Sequence, residues 1–587
     1  MPTVMQASVS GKPVKQRVWP IPDPTLQGRT YWNHPAHDEV MGESEQELER
    51  PELDVGLSRY STDNTIPPLN DPAVQAILDE ISWPDDPDMA SQMREIIEEF
   101  YTVFLPLRPS DRVVAATHVI DTGDHPPIKC QPYPINDEKK MDWLHEEIPK
   151  LLAGGFIEPS DAEWQFPIVI VQKKEAGSYR LACDYRRLNE ITREEVWTMP
   201  SCSESLDRLA GATVFSSADC VKGFYQVLMA PESCDKTTIV LPRHYGATDR
   251  FRFTRMPFGL RNAPATFQKI MDRLFGNIRY AMAYIDDVII YSDTWENHKT
   301  HVRLTLEILA QAGFKLSPKK SHFGKDSIPW LGFVVSKNGV AVDTTKTNAI
   351  TKMPPPGNVK QLQRYLGSVN YFARWIQSLA VINKPLRNLL KKGTTFVWTE
   401  ECAEAVTEIN RQLTSPPIMA YADASQQFVL VTDASRLAVG GCLLIRPRDT
   451  EDSSLERPVM YFSKSLSPAE SNWDARELEA FGLLYGLEKA RPYLGTNRVI
   501  AYTDHINLTF LFKHTPTAAT SILGGKLMRW ASRLAGFNFE LRYKRGVDNT
   551  VADYLSRQKY EPETPLPTGA STSVLNNASV AMSVHCS

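Results

Sequence analysis

The run Ala283-Tyr284-Ile285-Asp286-Asp287-Val288-Ile289-Ile290-Tyr291 sets two adjacent carboxylates inside a stretch that is otherwise apolar, aromatic and β-branched. Such a composition suits two short buried strands meeting at a tight turn. A carboxylate buried without a partner is costly, so a buried pair demands a compensating charge, most simply a divalent cation. The competing reading, a solvated hairpin turn, suits a lone Asp-Asp better. The rest of the chain has to decide between them.

With 587 residues the chain exceeds what one core can serve, and about three or four domains are expected. At 42% hydrophobic and 23% charged residues, most of it should be globular. No apolar run is long enough to span a bilayer, and the first twenty residues hold Lys12, Lys15, Arg17 and three prolines without an apolar signal core. The expected setting is therefore intracellular, a cytoplasmic particle or the nucleus, and not secreted. The eight cysteines form no C-x-x-C pair or zinc-knuckle spacing, which reads as scattered reduced thiols. The net charge of −5 conceals a strong polarity. Residues 1–100 carry 7 basic and 19 acidic side chains, whereas residues 221–400 carry 26 basic and 12 acidic ones. The basic centre supplies the attraction that a phosphate backbone requires.

In chain order, residues 1–100 are rich in Pro, Asp, Glu and Ser, and read as an acidic, mostly disordered leader in which 73–81 and 93–100 have some helical character. Asp121-Thr122-Gly123 has the letters of an aspartic-protease site. It runs into Pro126-Pro127 instead of a supporting apolar strand, so it reads as a turn. A helix is expected over 137–152, where Met141, Leu144, Ile148 and Leu151 recur at helical spacing and Gly154-Gly155 stops it. Extended segments follow at 156–160 and 166–174, then a strand through Arg180. Lys173 and Arg180 suit a hairpin surface, or a triphosphate clamp if their strands pair. Val214–Asp219 is a half-buried strand that ends in an acid, 67 residues before Asp286. That separation leaves room for Asp219 to return beside Asp286 on a neighbouring strand.

In order and spacing, the segments from about His118 to Phe333 resemble the reverse transcriptase of gypsy-type LTR retrotransposons. The matching blocks are Arg180–Asn189, Phe215–Gln226, Phe253–Gln268, Tyr284–Ser292 and Trp330-Leu331-Gly332-Phe333. The resemblance implies a right-hand polymerase with fingers, palm and thumb, fingers and palm over 101–336 and a basic helical thumb or linker over 337–395. It implies that Asp219 and Asp286, assisted by Asp287, are catalytic and hold two Mg²⁺ ions, with Mn²⁺ as an alternative. Lys173 and Arg180 match triphosphate contacts, Phe224 matches the residue beneath the incoming sugar that favours deoxynucleotides, and Trp330 and Gly332 belong to the hairpin that grips the primer. Ala218 and Cys220 replace the larger apolar residues common beside the first Asp, and Phe224 stands where tyrosine is frequent.

A second set of acids follows. Phe428–Ala434 is a buried-type strand carrying Asp433; Glu477 stands in the first turns of a helix; Val499–Asp504 is another strand ending in an acid; Asp553 enters a final helix. Asp, Glu, Asp and Asp in that order resemble the ribonuclease H domain that follows the polymerase in the same elements. That places a ribonuclease H-like domain over 396–560, with Asp433, Glu477, Asp504 and Asp553 as catalytic ligands of two more Mg²⁺ ions. Glu479 is a neighbouring candidate for the Glu477 role. A Pro, Ser and Thr-rich tail over 561–587 reads as disordered. Together these imply an α+β and α/β multidomain enzyme, an RNA-directed DNA polymerase with hybrid-cleaving ribonuclease activity. Its partners would be an RNA template, a DNA primer, RNA–DNA hybrid and deoxynucleoside triphosphates, with no membrane; the oligomeric state stays open. The alternative is a non-catalytic relic that only binds nucleic acid.

Overall fold

The computed structural model describes residues 66–172, 179–242, 245, 249–506, 508 and 525–544. Residues 1–65 of the expected leader lie outside the described residues, and the helical character expected over 73–81 and 93–100 is present as two helices. Helices Pro72–Leu78 and Pro87–Glu99 each begin with proline behind an aspartate, and the Asp71 and Asp86 side chains accept the first free backbone N–H groups. The second helix buries Met93, Ile96 and Ile97. Acids of this segment form ion pairs: Glu80 with Lys319 at 3.3 Å, Asp85 with Lys325 at 2.6 Å, and Glu99 with Arg303 at 2.9 Å. Between the helices, Ser82 donates to the Ser321 carbonyl at 3.0 Å and accepts from the Phe323 N–H at 2.9 Å. The segment thus lies along the edge of the central sheet.

That sheet has four strands in the order His322–Lys325, Val214–Asp219, Asp287–Ser292, Ala281–Tyr284. Helices Ala263–Phe275 and Trp295–Gln311 pack against it and bury Phe267, Ile270, Met271, Val302, Leu306 and Leu309. A second sheet joins Ile157–Pro159, Arg250–Phe253, Ile239–Val240, Phe166–Gln172 and Tyr179–Cys183. The last two pair antiparallel with Val171 opposite Arg180. Ahead of them the helix runs over Glu138–Ala153 with Asp137 as its cap. Asp121-Thr122-Gly123 is a turn in which Asp121 accepts from the Gly123 N–H and pairs with Arg193.

A three-stranded meander, Ser327–Trp330, Phe333–Ser336 and Gly339–Val342, leads into helices Thr344–Thr351 and Val359–Tyr371. The apolar stripe of the latter helix, Leu362, Tyr365 and Val369, is core. Further on, a five-stranded sheet has the order Arg457–Ser465, Ala438–Arg446, Gln427–Ala434, Val499–Thr503, Phe539–Tyr543; the first three strands are antiparallel and the last two run parallel to Gln427–Ala434. Helices Ala475–Leu494 and Gly525–Leu534 cover one face through Leu483, Leu487 and Trp530. Approach is close because Gly486 lacks a Cβ, which would stand 2.9 Å from Thr432 and Phe462 side-chain atoms.

The other face of this sheet has no separate core. Val429, Val431, Cys442, Leu444 and Tyr461 join a cluster that continues through Trp375, Phe372 and Phe333 to Ile289 and Phe215 of the central sheet. One apolar core therefore runs from the first catalytic-type strand to the second. Arg374 fastens the same junction, donating to the Val459 carbonyl at 2.7 Å and pairing with Asp207 at 3.3 Å. Its guanidinium lies over the rings of Trp375 and Tyr493. Burial pushes Asp207 up to about 6 against the pull of Arg374. Removing one partner of a buried pair strands the other charge, at a cost of about 3–5 kcal/mol. Arg374→Leu should therefore lower the melting temperature by several degrees, and Asp207→Asn added to it should recover part of the loss. Both sheets should unfold in one calorimetric transition.

Candidate active sites

The register of the central sheet sets the first site. Asp287 lies directly opposite Asp219, and Val288 opposite Ala218, across an antiparallel pair. Tyr284 and Asp287 close the hairpin, leaving Ile285 and Asp286 as a two-residue turn. Such turns need left-handed backbone, and here a β-branched residue supplies it: Ile285 has φ 56°. The strain is held by Gln268, which is fully buried on the helix Ala263–Phe275. Its Oε1 accepts the Ile285 N–H at 2.7 Å, while its Nε2 donates to the Ala283 carbonyl at 3.0 Å and to Asp272 at 2.8 Å. Trp197 Nε1 donates to the other Asp272 oxygen at 2.9 Å. The Cys220 N–H donates to the Asp286 carbonyl at 3.0 Å, and a Cβ on Gly223 would stand 3.0 Å from that of Asp286. A side chain there would crowd Asp286 and push it back by a few tenths of an ångström.

Three carboxylates gathered this way repel one another. Burial, then the charges of Asp286 and Asp219, push Asp287 up to about 6; burial and the Asp219 charge raise Asp286 as well. Among the described residues, Lys320 supplies the cation held on Asp219, with its Nζ at 3.0 Å from each carboxylate oxygen.

Phe224 sits a few residues beyond Asp219, its ring 5.2 Å from Phe258 and 5.8 Å from Phe267. The Arg180 guanidinium lies over Phe258 at 5.2 Å, so Arg180, Phe258 and Phe224 form a row beside the acids. Lys173 lies outside the described residues. Trp330 requires a correction as a substrate contact: it is only 3% exposed and belongs to the shared core. What the hairpin presents is its turn, Leu331 and Gly332, both with positive φ. Tyr371 ties that turn down, its hydroxyl donating to the Leu331 carbonyl at 2.6 Å and its ring stacking on Phe333.

In the sheet built around Gln427–Ala434, Val431 pairs in parallel with Tyr502, which brings Asp433 and Asp504 to the same level at neighbouring strand ends. Helix Ala475–Leu494 adds the third acid, and it is Glu479. Carboxylate oxygens of Asp433, Glu479 and Asp504 lie within 4.8 Å of one another. Glu479 is buried and its Oε1 accepts the Ala434 N–H at 3.1 Å. Glu477, the residue expected here, is instead part of a capping box with Asp474 and pairs with Lys526 at 3.1 Å. Two helical positions differ by about 200° in direction, so the two glutamates face opposite ways. The sequence held the signal: Asp474 three residues before Glu477 is a capping pattern, while Glu479 shares a row with Leu483 and Leu487, both fully buried. Asp553 lies outside the described residues. A cavity of about 530 Å³ opens over Glu479 and Asp504, lined also by Ser435, Arg436, Trp473 and His505.

The comparisons agree with this geometry. Residues 171–335 match the family "Reverse transcriptase (RNA-dependent DNA polymerase)", and residues 398–501 match "RNase H-like domain found in reverse transcriptase". The retrovirus-related Pol polyprotein from transposon opus of Drosophila melanogaster is 33% identical over 488 residues, covering 79% of this chain and 47% of that protein. The chain belongs to the LTR-retrotransposon reverse transcriptases. The gypsy Pol polyprotein of Drosophila melanogaster is 32% identical over 76% of the chain and 43% of its own length, and the Tf2-3 polyprotein of Schizosaccharomyces pombe 29% identical over 84% and 36%. This reverse transcriptase chain thus spans less than half the length of those polyproteins. Among solved structures, a foamy viral protease-reverse transcriptase in complex with double-stranded DNA shares the fold at TM-score 0.70 and 22% identity, covering 83% of this chain and 84% of that one. The same viral protein with RNA/DNA hybrid gives 0.66 and 21%, covering 84% and 65%.

Two outcomes follow from the first site. Gln268→Leu leaves the Ile285 N–H and the Ala283 carbonyl unpaired and frees the turn, so nucleotide incorporation should fall about 10- to 100-fold in kcat, with hybrid cleavage unchanged. The raised Asp287 makes the native state bind more protons than the unfolded chain between about pH 4 and 6. Its stabilising share is complete below that window and is lost as pH rises through it. The metal-free protein should therefore lose melting temperature across pH 4 to 6 relative to Asp287→Asn, and added Mg²⁺ should restore it at pH 7.

Proposed function

We propose that this chain is an RNA-directed DNA polymerase and RNA–DNA hybrid ribonuclease that copies the RNA of an LTR retrotransposon. The observation that carries the reading is the pair of carboxylate clusters at two sheet ends: Asp219/Asp286/Asp287 inside the reverse transcriptase segment, and Asp433/Glu479/Asp504, of which Asp433 and Glu479 lie inside the RNase H-like segment and Asp504 three residues past its end. The donor sets fit hard divalent cations: all-oxygen, partly buried and mutually repulsive, with an ammonium already standing on one member. Bound Mg²⁺ would supply charge for phosphoryl transfer at both sites.

The chain's own groups do the rest. Arg180, together with Lys173 if the resemblance holds there, would bind the triphosphate, since guanidinium matches phosphate in a forked geometry. Phe224, packed against Phe258 and Phe267, would meet a ribose 2′-hydroxyl, which favours deoxynucleotides. The turn at Leu331 and Gly332 would hold the primer end, and Tyr371 sets its height. RNA template, DNA primer and hybrid are the substrates we infer, supported by the basic block over 221–400. An intracellular location is part of the proposal, suggested by the seven described cysteines, all free thiols.

Primer extension on an RNA template with Mg²⁺ tests the reading. Wild type should extend, and Asp286→Asn should lose at least 10³-fold in kcat while still cutting the RNA of a labelled hybrid. A wild type that binds hybrid but neither extends nor cuts would overturn the reading in favour of a nucleic-acid-binding relic.

A further inference from the structure

Asp219 already has a counter-ion. The Lys320 ammonium sits symmetrically at 3.0 Å from both Asp219 carboxylate oxygens, on the acid that stands opposite Asp287 in the sheet. Among the described residues, three acids converge within 4.8 Å at Asp433, Glu479 and Asp504, whereas the palm trio does not close up to that degree around its lysine.

The tether is short. Lys320 ends the turn Pro318–Lys320, and that turn is bonded to the strand it serves: the Ser317 N–H donates to the Asp219 carbonyl at 2.8 Å, and the Lys320 N–H to the Ser317 carbonyl at 3.3 Å. From outside, Ser82 donates to Ser321, and Lys319 is drawn away to Glu80. The fold therefore selects Lys320, and not its neighbour, for Asp219. A cation carried on the same backbone as its partner acts at a fixed, high effective concentration that dilution cannot lower.

We propose that Lys320 is the resident counter-ion of the polymerase acids, and that a divalent cation enters this site by displacing it. This rests on the reading of Asp219, Asp286 and Asp287 as a cation site. The lysine neutralises part of the repulsion that built the cluster and holds the sheet end together while the cation is away. The same contact weakens free divalent-cation binding, because one Asp219–ammonium pair has to break. A cation arriving on a triphosphate brings phosphate oxygens that can take over the released ammonium, so loading is favoured when nucleotide is present.

The test is Mn²⁺ titration of the full chain without nucleic acid, with free Mn²⁺ read by electron paramagnetic resonance. The palm sites are identified as the class that Asp219→Asn removes. Lys320→Met should tighten that class roughly three- to tenfold, the worth of a part-exposed ion pair, and Lys320→Arg should stay within about twofold of wild type. Adding a deoxynucleoside triphosphate should narrow the gap between wild type and Lys320→Met. An unchanged or weaker palm class in Lys320→Met overturns the counter-ion role and leaves the cation site standing. If neither wild type nor Lys320→Met shows a class that Asp219→Asn removes, the cation site itself fails and the inference goes with it.

Discussion

Asp287 stands across an antiparallel register from Asp219, and Asp286 occupies the turn beside them. Like charges set opposite each other in a half-buried sheet are destabilising, so nothing in the folding of this region is neutral about them. Much of the surrounding detail answers that one conflict. Gln268 holds the left-handed Ile285 against its own strain, Gly223 gives up a side chain so that Asp286 can come close, and Lys320 returns from a later turn to cover Asp219. A local arrangement that costs stability is kept because a packed helix and a sheet edge over-determine it.

Both clusters depend on the same apolar body. The core that supports Phe215 and Ile289 behind the first acids continues to Val429 and Val431 behind Asp433. In the ribonuclease-type sheet one face is covered by its own helices and the other by the polymerase half, with Arg374 spanning the seam. The spacing between the two sites is accordingly a property of packing, not of a linker. The acidic residues 72–99 serve this body too, as capped helices that lie along the edge strand and neutralise lysines beside the Lys320 turn.

How far the sequence could be read follows from the range of each interaction. Asp286 and Asp287 were legible because a tight turn between apolar runs is local, and Asp433 and Asp504 because each ends a strand-like run. Helix Glu138–Ala153 was legible from its period, with Asp137 and Gly154 at its ends. Glu477 misled because a motif read as letters ignores helical phase; the capping box claims it, and the apolar row points to Glu479. Trp330 misled in the opposite way, since an aromatic beside a functional turn can be its foundation and not its surface. The two helices within the acidic leader were legible as helical character at 73–81 and 93–100, and the Asp-Pro starts at 71–72 and 86–87 fix their first turns, which composition alone does not. Gln268 and Lys320 were out of reach: their partners lie 17 and 101 residues away and only the folded sheet brings them together.

The account's central claim is that position in the fold, not the motif letter, decides which acids do chemistry. Its most direct test compares hybrid cleavage by Glu479→Gln and Glu477→Gln in otherwise intact protein. Glu479→Gln should lose cleavage by at least 10²-fold with primer extension retained, whereas Glu477→Gln should cut at near wild-type rate with a small loss of stability from its cap. Cleavage that survives Glu479→Gln and fails in Glu477→Gln would contradict the account.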